Sequence, residues 1–159
     1  MENRSRTALE EELAELLGPV VESEGLELVE LVLRGGGGIR TLRLDVDRAG
    51  ARGVGLEDCQ RLSRAVEAKL EETDPIPSKY VLEVSSPGVG RPIRSRDDIR
   101  RNTGRRVVVT TAEPVEGSCS HTGLLLGSDG GDLLLQEEGE HRVRIPLAGV
   151  VRAFQELEL

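Results

Sequence analysis

The sequence has almost no aromatic side chains. It contains one tyrosine, one phenylalanine and no tryptophan in 159 residues. Proteins that hold single-stranded nucleic acid by stacking use several aromatic rings, so this composition argues against a stacking groove. Cysteine is equally scarce. Cys59 and Cys119 are far apart and lie in no CxxC motif, a pattern typical of reduced thiols in the cytoplasm.

Long apolar runs are missing as well. No stretch approaches the roughly 20 apolar residues that a membrane-spanning helix needs. The charged start, MENRSRTALEEE, does not have the pattern of a secretory signal. We therefore expect a cytoplasmic protein without a membrane partner.

The chain also lacks an overall basic charge, since its formal net charge is −8. Residues 1–83 carry 11 basic and 18 acidic side chains, whereas residues 91–106 carry seven arginines against two aspartates. Nonspecific nucleic-acid binders are usually basic overall. An acidic protein with one basic segment fits a basic protein, or a surface of protein and RNA, as its partner. The alternative is that the negative charge only keeps the chain soluble.

The first half of the sequence predicts an α-β-β-α-β domain over residues 1–84. Thr7 and Glu10 form a capping box, and leucines at helical spacing follow it. Pro19 is expected to kink or interrupt this helix, and Gly25 to cap its end. Residues 26–33 and 39–47 alternate as two strands of a hairpin around four glycines. A second helix from Leu56, ended by the Asp74–Pro77 segment, leads to a third strand at 80–84.

Residues 85–104 are predicted to be a junction that carries the basic segment, with one helical turn near 95–103. Beyond Gly104, short strands are expected at 105–111, 121–127, 132–137, 141–145 and 150–155. Five short strands with tight turns are typical of a small SH3-like or Sm-like barrel, here at 105–159. The predicted fold class is therefore α+β.

Three arrangements in the sequence are candidate sites of chemistry. Asp45 and Asp47 place two carboxylates on one strand face, where a divalent cation is one use and a solvated surface is another. Cys119 and His121 share a face, but no further metal ligand is fixed by the pattern. Ser85 and Ser86 lie in no GxSxG motif. We predict no catalytic residue, no metal and no cofactor, and hence a protein that is not an enzyme.

Three segments resemble one family. The run from Gly53 to Val66, GVGLEDCQRLSRAV, and the run from Tyr80 to Pro92, YVLEVSSPGVGRP, are similar to two motifs of the bacterial ribosome maturation factor RimP family. The strand LRLDVD at 42–47 is similar to a third. Two positions depart from the family pattern: Gly55 replaces the usual Thr or Ser at the helix start, and Gly90 replaces an Asp.

The resemblance implies a fold and a function. The fold is an N-terminal α/β domain followed by an SH3-like barrel. The function is non-catalytic assistance in maturation of the small (30S) ribosomal subunit. The implied partners are 16S ribosomal RNA and the ribosomal protein near the decoding centre, bound by a monomer without a small-molecule substrate. Two other functions stay open: an RNA-processing enzyme that uses Asp45 and Asp47 with a metal, and a regulator that binds single-stranded RNA through an Sm-like barrel.

Two groups of residues are candidate functional sites. The first is predicted to contact RNA or a protein partner and consists of Arg91, Arg94, Arg100 and Arg101. The second combines family motif and junction residues, namely Asp47, Asp58, Arg64, Glu83, Ser85, Ser86, Pro87, Gly88 and Pro92. Within it, Asp58 and Glu83 are expected to pair with Arg64 or Arg91. Pro87 and Gly88 are expected to shape the turn between the domains.

Overall fold

The computed structural model describes residues 6–35, 38–86 and 91–156. The chain divides into two compact units. The first unit contains Glu2–Arg48 and Gly53–Pro87, and the second contains Ala49–Arg52 and Gly88–Leu159. Each unit has its own buried aliphatic core.

The first unit has the predicted order of elements. Its helices are α1 (Ala8–Ser23) and α2 (Leu56–Thr73), and its strands are β1 (Glu27–Arg34), β2 (Arg40–Asp47) and β3 (Tyr80–Ser85). The sheet order is β1-β2-β3, with β1 antiparallel and β3 parallel to β2. The predicted α-β-β-α-β arrangement is confirmed. Gly36 and Gly37 of the predicted hairpin turn lie outside the described residues.

The start of α1 is fixed by a capping box that also reaches the sheet. Thr7 Oγ1 accepts the Glu10 N–H at 3.1 Å, and Glu10 Oε1 accepts the Thr7 N–H at 2.9 Å. The other oxygen of Glu10 accepts the Leu33 N–H of β1 at 2.8 Å. Glu10 is therefore a buried carboxylate that satisfies backbone donors of both elements.

Pro19 lies inside α1, and the helix continues past it to Ser23. The expected interruption is therefore wrong. Leu17 and Val21 on either side of Pro19 are fully buried, and their packing offsets the one helical hydrogen bond that proline cannot make. Gly25 does end the helix as expected. It takes φ of +75°, and its N–H donates to Glu22 O, which is the geometry of a Schellman motif.

The second unit is built on one antiparallel sheet. A short helix α3 (Arg96–Asn102) precedes strands β4 (Arg106–Val115), β5 (Ser118–Asp129), β6 (Asp132–Gln136), β7 (Arg142–Pro146) and β8 (Val150–Gln155). The strand order is β7-β6-β5-β4-β8. The five strands were predicted, although β4 and β5 are longer than expected. Among the described residues β7 and β8 do not pair, so the predicted barrel is not closed by hydrogen bonds.

The edge strand β8 is covered by the segment that precedes α3. Ile93 N–H donates to Ala153 O of β8 at 2.8 Å, so the chain before α3 lies along the outer edge of that strand. The core of the unit is aliphatic and includes Val109, Leu135 and Ile145, each fully buried.

Among the described residues of both units, none of the helices has the length and apolar composition that spanning a membrane requires.

Candidate functional site

The basic segment, residues 91–106, is organised around a single carboxylate. Ser95 caps α3, and its Oγ accepts the Asp98 N–H at 3.0 Å. Asp98 Oδ2 in return accepts the backbone N–H groups of Arg94 and Ser95, each at 3.0 Å. This reciprocal capping box fixes the direction in which the chain enters α3.

Two of the four predicted contact arginines turn towards Asp98. Arg101 Nη2 donates to Asp98 Oδ1 at 2.6 Å, and both side chains are about nine-tenths buried. Arg91 Nε lies 3.9 Å from the same oxygen. Burial opposes ionisation of Asp98, but the backbone hydrogen bonds from Ser95 and Arg94 and the charge of Arg101 outweigh it and lower the pKa of the carboxyl. Arg91 and Arg101 thus balance a buried anion.

The other two point outward. Arg94 and Arg100 are both exposed. Arg100 Nε pairs with the exposed Asp97 at 3.4 Å, a contact of the kind that contributes little to stability. Arg96, at the start of α3, is exposed as well. The exposed arginines of the segment are therefore Arg94, Arg96, Arg100 and Arg106, of which Arg106 pairs with Glu156 at 2.6 Å.

Arg105 serves the structure of the second unit. Its Nε donates to Gly50 O at 2.8 Å, and its Nη1 donates to Asn102 Oδ1 at 3.3 Å. The Gly50 N–H in turn donates to Arg101 O at 3.1 Å. Arg105 is therefore committed to backbone and side-chain oxygens of its own unit.

In the first unit, Asp58 is the centre of an ion-pair cluster at the start of α2. Arg48 makes a bidentate contact with its two oxygens, at 3.1 and 3.2 Å, and Arg61 Nη2 donates to Oδ1 at 2.8 Å. Asp58 Oδ2 also accepts the N–H of Gly55, the N-cap residue. Hydrogen bonding by Arg48 first, then by Gly55 and Arg61, lowers the pKa of Asp58 well below its usual range.

The Asp58 cluster corrects one expectation. Asp58 pairs with Arg48 and Arg61, not with Arg64 or Arg91. Arg64 is exposed, and Glu83 is exposed on β3 opposite Arg43 of β2. A glycine cap offers no side-chain oxygen to the first N–H groups of α2, so only the Asp58 half of the capping box forms, in which the carboxylate accepts the Gly55 N–H.

The remaining family-motif residues occupy different surroundings. Asp47 is buried at the end of β2, where its Oδ1 accepts the Arg48 N–H at 2.8 Å. Ser85 Oγ donates to Asp45 Oδ1 at 2.9 Å, and Ser86 and Pro92 are half-buried. Pro87, Gly88 and Gly90 lie outside the described residues.

The candidate metal-binding side chains either make other contacts or differ in their exposure. Asp45 Oδ1 accepts hydrogen bonds from Arg43 Nε at 3.1 Å and from Ser85, so that carboxylate is already neutralised. Cys119 is exposed while His121 is buried. Over the described ranges, no three or more His, Cys, Asp or Glu side chains come together as metal ligands.

His121 is held from both sides in the second unit. Its Nδ1 lies 2.9 Å from Glu137 Oε2, and its Nε2 lies 2.9 Å from Val115 O and 3.1 Å from Ser118 O. Burial lowers the pKa of His121, but the hydrogen bonds to Glu137, Ser118 and Val115 outweigh it, so the pKa is raised. Only the protonated ring can donate from both nitrogens at once.

Sequence reasoning missed Asp98, Arg48 and His121 as organising residues. A signal was present for Asp98, because Ser95 and Asp98 have the spacing of a capping box. For Arg48 and His121 the partners are 10 and 16 residues away, and no local pattern joins them.

A comparison with protein-family models finds a match that includes most of the first unit. The model of the RimP N-terminal domain matches residues 16–90. This range takes in the second half of α1, the whole three-stranded sheet and α2 with the Asp58 cluster. It ends just before the basic segment. The match overlaps all three motifs, and it supports assignment of the chain to the RimP family, a family of ribosome maturation factors.

Proposed function

We propose that this protein is a non-catalytic assembly factor for the small (30S) ribosomal subunit. The observation that carries the proposal is the RimP N-terminal domain at residues 16–90. The factor binds the free subunit through 16S ribosomal RNA and the ribosomal protein near the decoding centre. It acts as a monomer in the cytoplasm.

The charge distribution supports such a partner. Ribosomal proteins are basic, and a chain with a net charge of −8 is attracted to a basic surface over long range. The same charge discourages loose binding to naked RNA. The exposed arginines of the basic segment then contact phosphates locally, which fixes orientation without reading a base sequence.

We propose two different roles for the four predicted contact arginines. We assign RNA or protein contact to Arg94 and Arg100, because their side chains are exposed. We assign support to Arg91 and Arg101, because both face Asp98 and hold the entry to α3. Loss of a supporting arginine would therefore lower the stability of the second unit and leave the contacting arginines in place in the molecules that fold.

The experiment is co-sedimentation of the full chain with isolated small subunits, large subunits and intact ribosomes at two salt concentrations. The proposal expects selective migration with free small subunits. The double variant Arg94→Glu/Arg100→Glu should reduce binding by at least about tenfold, since each lost charged contact is worth about 1 kcal/mol or more. Arg142→Glu, a charge reversal at an exposed arginine of β7, is the matched control.

Two results would contradict the proposal. Equal migration with all three particles that disappears with salt would indicate nonspecific charge attraction. Tight binding to naked single-stranded RNA with no preference for small subunits would favour the regulator with an Sm-like domain.

A further inference from the structure

We propose that a groove on the second unit binds an acidic peptide segment through an aliphatic side chain. The groove is a cavity of about 310 Å³ between α3, β6 and the first half of β8. Its lining consists of six aliphatic residues and two arginines, namely Ile93, Ile99, Leu133, Leu147, Val150, Val151, Arg94 and Arg152. The inference goes beyond the proposed function, whose partners are a basic protein and RNA.

The groove owes its shape to an irregularity in β8. Arg152 is opposite Thr110 and Val150 is opposite Thr111, so Val151 is an extra residue with no partner on β4. Side chains of a regular strand alternate between faces, whereas a bulge redirects the extra one. Here Val150, Val151 and Arg152 all line the same cavity.

Val151 is the unusual member of this lining. It is 58% exposed, although it is a large aliphatic residue in a strand. The floor beneath it is well packed, because Ile93, Ile99 and Leu133 are all at least nine-tenths buried. An aliphatic side chain that entered the groove would therefore contact an ordered apolar floor and cover Val151.

The rim of the groove selects for negative charge. Arg94 and Arg152 are exposed on two different segments, and none of the eight lining residues is acidic. The guanidinium group matches a carboxylate in a bidentate geometry. The backbone of Arg94 is held in place, since its N–H donates to the buried Asp98. The two arginines thus add positive charge to a groove whose other lining residues are aliphatic.

An acidic peptide fits these features better than RNA does. Phosphates would also accept hydrogen bonds from Arg94 and Arg152, but the lining contains no aromatic ring on which a base could stack. An aliphatic floor between two arginines matches a leucine, isoleucine or valine flanked by glutamate or aspartate. The occupant we infer is a segment of that composition in a partner protein.

The test measures binding of labelled peptides to the full chain by fluorescence anisotropy. The probe is acetylated Glu-Leu-Glu-Leu-Glu. One comparison peptide replaces each glutamate with lysine, and a second replaces each leucine with glycine. We expect the probe to bind at least about tenfold more tightly than either comparison peptide, because each lacks one of the two required features.

Two variants locate the binding on the groove. Arg152→Glu reverses one of the two rim charges, so that the rim has no net charge, and Val151→Asp places a negative charge at the exposed edge of the groove. Both positions are exposed, so the fold should be retained, and the amide spectrum of the core strands checks this. Each variant should weaken probe binding by about tenfold or more. Arg142→Glu, an equal charge change outside the lining, should leave it unchanged.

Four outcomes would overturn the inference. The first is equal affinity for the lysine peptide, and the second is equal affinity for the glycine peptide. The third is displacement of the probe by oligouridine at lower concentration than by unlabelled probe, which would make the groove an RNA site. The fourth is self-association of the pure chain that Val151→Asp abolishes, which would make a second copy the occupant. Failure of peptide binding with intact small-subunit binding would reject this inference and leave the proposed function standing.

Discussion

Arg101 donates a hydrogen bond of 2.6 Å to Asp98, and the two side chains are almost completely buried. The seven arginines of the basic segment are therefore not seven exposed charges. Asp98 forms an ion pair with Arg101, and Arg91 lies within 3.9 Å of the same carboxylate. Arg105 donates hydrogen bonds to Gly50 and Asn102. Charge counted along the sequence overstates the charge that a partner can reach.

Arg101→Ala is expected to destabilise the second unit by about 3 kcal/mol, because removal of one member of a buried ion pair leaves the other charge uncompensated. Urea unfolding of the full chain, followed by circular dichroism, measures the change. Arg100→Ala is the matched control. Arg100 pairs with Asp97 at the surface, and its loss should change stability by about 0.5 kcal/mol or less.

The effects of the same two substitutions on binding to small subunits should have the opposite order to their effects on stability. Per folded molecule, Arg101→Ala should retain affinity for small subunits, while Arg100→Ala should lose part of it. An Arg101→Ala chain of normal stability with weak binding would show that Arg101 contacts the partner and that its role as a support is wrong.

The stability of the second unit should fall as the pH rises above neutrality. The folded pKa of His121 is raised, so the protonated ring is favoured by folding. Its stabilisation is fully present below the unfolded pKa of about 6.5 and is lost as the pH rises through the higher folded pKa. Urea midpoints of the wild-type chain between pH 5.5 and 9 test this.

His121→Gln is the informative variant for that series. It should lower stability by about 1–3 kcal/mol at the acidic end, because an uncharged amide cannot serve both Glu137 and the two carbonyl oxygens as a charged donor does. The difference from wild type should shrink at high pH. His141→Gln, at an exposed position paired with Glu116, is the control. A wild-type minus His121→Gln difference that is constant with pH would contradict the protonated assignment.

Gly123→Ala should be strongly destabilising although it looks conservative. A Cβ atom at Gly123 of β5 would lie 2.5 Å from the carbonyl oxygen of Gln136 in the neighbouring strand β6. That oxygen belongs to the backbone, so the strands must separate, at a cost of about 1–3 kcal/mol or more. Urea unfolding measures the cost.

Gly149→Ala is the matched control for Gly123→Ala. A Cβ at Gly149 would meet no heavy atom within 4 Å, and its backbone is not in the left-handed region. The free energy of unfolding should stay within about 0.5 kcal/mol of wild type. Equal effects of the two substitutions would mean that the close approach of β5 and β6 is not a constraint on stability.

Local sequence patterns predicted most of the fold. Thr7 and Glu10, Gly25, and the alternation of 42–47 each depend on neighbours within a few residues, and the structure has each as predicted. The family motifs likewise lie in local runs. What the patterns could not give is pairing over distance, since Asp58 with Arg48 and His121 with Glu137 form only after the strands and helices have packed.

The groove illustrates the same limit. Its lining residues come from three separate parts of the chain, near residues 93–99, 133 and 147–152. One of them is Val151, the extra residue of the bulge in β8. A bulge leaves no consistent mark in a short apolar run such as Val150–Val151, because regular and bulged strands accept the same side chains. The predicted barrel is not closed for a related reason: the number of strands is readable from the sequence, whereas pairing between the two edge strands, β7 and β8, is not.

Pro19→Ala is expected to stabilise α1. Proline within a helix leaves the carbonyl oxygen of Glu15 without its helical donor, and the exposed position of Pro19 gives alanine room. The gain should be about 1–3 kcal/mol, measured by urea unfolding of the full chain. Gly18→Ala, where a Cβ would meet nothing within 4 Å, should add about 1 kcal/mol by a different route, the lower backbone entropy of alanine in the unfolded chain. Hydrogen exchange of the α1 amides distinguishes the two, because only Pro19→Ala restores a donor to Glu15. A Pro19→Ala chain less stable than wild type would show that the proline ring contributes packing that outweighs the missing hydrogen bond.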